Sequence, residues 1–136
     1  MIKSVSDDMV TPKKRGTRFE YRVAYLFEKY GYSWDRSRSS MGIDLKITRN
    51  GKLRYLISCK KTSKNGPIYI PLEEVSRLEK YSRETRADGM ICFGFNRTAI
   101  FFLKLKDVAL LEKTRQYYKI NRGDGHILEN MLKKIR

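Results

Sequence analysis

Asp44 and Lys60 are the residues of this chain whose types and spacing point most directly to chemistry. They sit in two apolar-patterned runs, Gly42-Ile43-Asp44-Leu45-Lys46-Ile47 and Leu53-Arg54-Tyr55-Leu56-Ile57-Ser58-Cys59-Lys60, separated by Arg49-Asn50-Gly51-Lys52. Side chains alternate faces along a strand, so Asp44 is expected on one face and Ile43, Leu45 and Ile47 on the other. By the same alternation Ser58 and Lys60 share a face. Asn50-Gly51 signals a tight hairpin, which lays the two strands side by side and lets Asp44 and Lys60 meet at the sheet surface. A carboxylate there can hold a divalent metal, and a nearby ammonium can steer a phosphate or help deprotonate a water. Taken singly, Asp44 also reads as an ordinary turn or salt-bridge residue, and Lys60 as a solvated strand end. The shared location favours a site.

The elements that must position this pair follow from periodicity. Phe19, Val23, Leu26, Phe27 and Tyr30 recur at helical spacing, with Thr17 and Glu20 spaced as a capping box and Gly31 as the stop. Tyr32-Ser33-Trp34 should begin a first strand, and residues 35–42 form a polar loop leading to Asp44. After the hairpin, residues 62–67 read as a turn. Ile68-Tyr69-Ile70 is short and extended. The helix expected after Pro71 has Glu73 and Glu74 in its first turn and Arg83 and Arg86 in its last, as its dipole favours. Further strands are expected at 90–95 and 99–105, helical turns at 107–113 and an edge strand at 116–120. A last helix carries Ile127, Leu128, Met131, Leu132 and Ile135, with Asp124 as its cap. Helices and strands in this order make an α/β sandwich.

The chain has 136 residues, enough for one domain with a sizeable core. Residues 1–15 read as a flexible basic arm and 16–136 as a single domain. Lys and Arg number 30 against 15 Asp and Glu, a net charge of +15. That excess fits a polyanionic partner, nucleic acid first. An acidic membrane surface is the competing reading, but no apolar run approaches the length needed to span a bilayer and no signal peptide opens the chain, and no membrane partner is expected. Cys59 and Cys92 read as buried strand residues in a reducing, cytoplasmic setting. Two cysteines and one histidine are too few for a structural zinc site. The chain lacks an RNP-like aromatic strand and a GxxG loop, which counts against RNA as the target.

The sequence resembles the archaeal and viral Holliday junction resolvases, a branch of the PD-(D/E)XK nuclease superfamily, over roughly residues 13–135. The resemblance rests on Lys14-Arg15-Gly16-Thr17-Arg18-Phe19-Glu20, on Arg36 before Ser39-Ser40 and Asp44, and on Ile57-Ser58-Cys59-Lys60 as the acid-x-lysine strand. It departs at Ser58, where the family has an acid, and at Tyr21, where the family often has arginine. The resemblance implies a central mixed five-stranded sheet flanked by helices. It also implies a homodimer that cuts four-way-junction DNA by metal-dependent hydrolysis, needing no small-molecule cofactor. Mg²⁺, or Mn²⁺ in its place, would be held by Asp44, the Cys59 carbonyl and Glu20, with Ser58 marking the missing acid. Lys60 would orient the attacking water, and Ser40 and Ser39 would touch the scissile phosphate. Lys13, Lys14, Arg15, Arg18, Arg36, Arg38, Lys61 and Lys64 would hold the DNA backbone. Phe101, Phe102, Tyr117, Tyr118, Ile127 and Met131 are candidates for the dimer surface. The alternative is a DNA-junction-binding protein of the same fold that Ser58 has left weakened or inactive.

Overall fold

In the computed structural model α1 spans Pro12–Lys29, and its apolar stripe decides how it packs. Phe19, Val23, Ala24 and Phe27 are buried and Leu26 packs against them. The structure describes residues 12–36 and 42–135, with only the backbone of 12–16. The helix opens at Pro12, where proline suits the first turn, rather than at Thr17. Thr17 and Glu20 are therefore interior helical residues and not a capping box. Gly31 ends the helix as expected. Its φ is 93°, its N–H donates to the Glu28 carbonyl, and the Tyr32 N–H reaches back to the Phe27 carbonyl. The Phe27 and Tyr32 rings then meet at 5.5 Å, the apolar contact that accompanies such a stop.

The strands β1 (Ser33–Arg36), β2 (Leu45–Arg49), β3 (Lys52–Lys61), β5 (Asp88–Gly94), β6 (Phe101–Lys104) and β8 (His126–Ile127) form one sheet in the order β1-β2-β3-β5-β6-β8. Only β3 and β5 pair in parallel, so the sheet is mixed. It has six strands rather than five, because His126-Ile127 adds an edge too short for periodicity to reveal. The β2–β3 hairpin turns at Asn50 and Gly51, whose φ values of 53° and 76° are the two positive angles such a turn needs.

Between β3 and β5 the chain passes through β4 (Ile68–Pro71) and α2 (Leu72–Thr85), the crossover that parallel neighbours require. A short α3 (Leu105–Val108) precedes β7 (Tyr117–Ile120), and α4 (Leu128–Ile135) closes the fold. β7 is not an edge of the main sheet. It pairs antiparallel with β4 in a second, two-stranded sheet. Asp124 does not cap α4; its carboxylate accepts the Asn121 N–H instead.

The core lies on both faces of the main sheet. On one, Phe19, Val23 and Phe27 of α1 and Leu128 and Leu132 of α4 meet Leu45, Ile47, Tyr55, Ile57, Met90 and Cys92. On the other, Val75 and Leu78 of α2 meet Leu56, Ile91, Phe93 and the small sheet's Ile68, Ile70 and Ile120. Strand alternation assigns these residues, with Ile57 on the α1 side and Leu56 on the α2 side. It also puts Ser58 and Lys60 on the α2 side. Among the described residues no helix is long and apolar enough to cross a membrane.

Candidate active site

Asp44 lies one residue before β2, where regular alternation has not yet begun. Ile43 packs in the α2-side core while Leu45 and Ile47 pack on the α1 side, so the three do not share a face as expected. Asp44 is held by the end of the neighbouring strand. Its N–H donates to the Ile57 carbonyl at 2.8 Å, and its Oδ2 accepts the Cys59 N–H at 2.7 Å. In an extended strand a residue's N–H and C=O face the same side, so the Cys59 carbonyl lies on the Asp44 edge of β3. Burial pushes the Asp44 carboxyl up to about 6, and the Cys59 N–H pulls the other way. The charges of Glu20 and Glu74 add to the rise, and the Lys60 ammonium opposes it. Asp44 therefore stands within electrostatic reach of Glu20, Lys60 and Glu74, between the two helical layers.

Lys60 reaches across to the first turn of α2, where its Nζ meets Glu74 Oε1 at 2.7 Å. The Ser58 hydroxyl donates to the same oxygen at 2.9 Å. Ser58 is wholly buried, the only polar side chain so enclosed among the described residues, and Glu74 completes its hydrogen bonding. Gly42 packs on the other side of Glu74. With φ at 81°, a Cβ on Gly42 would fall 2.8 Å from Glu74 Cγ. Glu74 is thus enclosed between the segment entering Asp44 and the strand carrying Lys60. Sequence reasoning passed over it, because an acid in the first turn of a helix is already explained by the helix dipole.

Glu20 and Arg36 are engaged with each other, Arg36 Nε to Glu20 Oε1 at 2.9 Å, with the guanidinium 5.2 Å from the Tyr21 ring centroid. The hydrogen bond that Arg36 donates to Glu20 holds its guanidinium above its ordinary value. Lys61 and Lys64 are exposed where β3 runs out, and Arg18 is exposed on α1. The backbone of Lys13, Lys14 and Arg15 lies in the first turns of α1, and their side chains are outside the described residues, as are Arg38, Ser39 and Ser40. Burial raises the Cys59 and Cys92 thiols well above their usual value, so neither is a nucleophile. Among the described residues no three of His, Cys, Asp and Glu converge into a ready metal cage.

Over residues 11–136 the sequence matches the family described as archaeal Holliday junction resolvase (Hjc). The chain belongs to this family. A curated relative is the crossover junction endodeoxyribonuclease Hjc of Methanocaldococcus jannaschii, 31% identical over 88 residues. That match spans 65% of this chain and 65% of the relative's own length. The solved structure of the Holliday junction resolvase Hjc from Archaeoglobus fulgidus has the same fold. It aligns with a TM-score of 0.74 at 23% identity, covering 88% of this chain and 96% of that one. Ser58 and Lys60, the two positions read as the acid-x-lysine strand, both contact Oε1 of the helix residue Glu74.

Proposed function

We propose that this chain is an endodeoxyribonuclease that resolves four-way DNA junctions as a homodimer, using Mg²⁺ or Mn²⁺. The observation that carries the reading is Asp44, a half-buried carboxylate fixed at the end of β2 by the Cys59 N–H, with Lys60 beside it and further acids around it. Hard oxygen donors of this kind, a fixed carboxylate and a strand carbonyl, fit a small divalent cation. Asp44 and the Cys59 carbonyl would hold it, with water completing the shell. Once bound, the cation would polarise the scissile phosphate and lower the pKa of the attacking water.

The chain's own residues do the rest. The Cys59 N–H fixes one Asp44 oxygen, so the carboxylate keeps its orientation as substrate arrives. Lys60, held at Glu74, is aimed along the same strand end and would stabilise charge that develops on the phosphate. Lys61 and Lys64, exposed where β3 runs out, and Arg18, exposed on α1, would supply further cations to the DNA backbone. Such contacts position a duplex arm without reading its sequence. Two-fold symmetry matches a dimer to the paired arms of a junction. Of the six dimer-surface candidates, Tyr117 and Ile127 are the exposed ones, at 40% and 39%, whereas Phe102 is buried and the other three pack against the chain's own core.

The second reading, a protein that binds junctions without cutting them, is favoured by Ser58 alone. One assay separates the two. A labelled four-way junction, a nicked duplex and a linear duplex are incubated at matched salt with Mg²⁺, Mn²⁺ or EDTA. Resolution predicts paired nicks in the junction that need the metal and vanish in Asp44→Asn. Tight junction binding with no nicks in either metal would establish the second reading instead. Sedimentation of the free protein should give twice the 16.1 kDa chain mass.

A further inference from the structure

We propose that Glu74, reaching in from α2, is the second metal-binding carboxylate of this site, and that Ser58 is the hydroxyl that seats it. The inference rests on the nuclease reading above and deepens it. Three contacts carry it. The Ser58 hydroxyl and the Lys60 ammonium both grip Glu74 Oε1, at 2.9 and 2.7 Å. Gly42, two residues before Asp44, closes over the Glu74 stem so tightly that a methyl group there would collide with Cγ.

These contacts lodge the carboxylate above position 58 of the strand. A glutamate at 58 would extend from the same Cβ, on the same face, toward the volume the Glu74 head group now fills. Serine leaves that volume open and supplies a donor to its occupant. With Oε1 committed to Ser58 and Lys60, no partner among the described residues reaches Oε2. A purely structural role would need only the Lys60 pair. It would not require the Asp44 segment to close on the glutamate through a glycine at positive φ.

The test uses Mn²⁺ alone, with no DNA. Binding is followed by electron paramagnetic resonance of free Mn²⁺ and by the metal-induced rise in melting temperature. The proteins are the full-length chain, Glu74→Gln, Asp44→Asn and the double variant Ser58→Glu/Glu74→Gln. Glutamine keeps an acceptor for Ser58, so Glu74→Gln should fold, as circular dichroism would verify. Its affinity for Mn²⁺ should fall by roughly tenfold or more. The double variant returns the acid to the strand and should regain most of that loss. If Asp44→Asn loses Mn²⁺ while Glu74→Gln binds it within threefold of the parent, Glu74 is a structural partner only and the inference fails. A folded double variant that stays as weak as Glu74→Gln also counts against it. If the parent chain binds no Mn²⁺, or Asp44→Asn binds it as well as the parent does, the nuclease reading itself falls.

Discussion

Asp44 destabilises the metal-free fold it belongs to, and the sign of that effect can be measured. Its folded value of about 6 lies above the unfolded 3.8, so between those pH values the native state binds the extra proton. Stability from this residue therefore falls as pH rises from about 4 through 6, by roughly 3 kcal/mol in all. Asparagine can still accept the Cys59 N–H without the charge. In EDTA, Asp44→Asn should melt several degrees above the parent at pH 7.5 and level with it at pH 4. An equal gap at both values would disprove the account. Bound metal favours the charged carboxylate, so Mn²⁺ should raise the parent's melting point and leave Asp44→Asn nearly unmoved. Lys60→Met should leave Mn²⁺ affinity within a few-fold while lowering the junction-nicking rate by roughly a hundredfold or more, a split that single-turnover kinetics would resolve. Residue types and the Asn50-Gly51 turn drew attention to Asp44 and Lys60, because a hairpin is a local rule, but Asp44 sits before regular alternation begins and is held by the Cys59 N–H rather than by its place on a face. Such rules did not show Glu74, which meets Ser58 across 16 positions through a crossover, nor that Glu20 and Arg36 would engage each other.

Local rules governed the elements in the same way. α1 stops at Gly31 because only a residue free to take φ near 93° lets the Tyr32 N–H return to the Phe27 carbonyl. Gly31→Ala has open space around it, the nearest atom being 3.9 Å from the added carbon, so its effect is conformational. It should lower stability by about 1 kcal/mol, read as a reduced urea midpoint at unchanged m-value. The helix start was harder to place. Lys13, Lys14 and Arg15 carry charge suited to an arm, yet lysine and arginine are also good helix formers, and Pro12 gives them a starting point. The main strands were legible from alternation, and α2 from Pro71 and its charged ends. β8 has two residues and therefore no period. β7 has a period but no local sign of its partner, because pairing with β4 depends on the chain returning across some 50 residues.

At the scale of the whole molecule, the +15 charge and the position of the site combine into one quantitative expectation. Lys60 and Lys61 end β3, and Lys64 follows in the turn after it, with Lys61 and Lys64 exposed. A duplex arm laid there meets several cations at once and releases counterions. If about six phosphates are neutralised, affinity should fall about a thousandfold between 50 and 200 mM salt. That loss is common to every duplex arm, because backbone contacts carry no sequence information. The preference for a junction over a linear duplex of equal length has another origin, in the angle at which arms leave a branch point. It should therefore change far less with salt than either affinity alone. Lys61→Ala/Lys64→Ala offers the check. It should reduce the slope of log K against log salt by about one to two and weaken junction and duplex in similar proportion. A double variant that keeps the parent's slope, or that lowers junction affinity while sparing the duplex, would move those lysines from backbone holding to shape recognition.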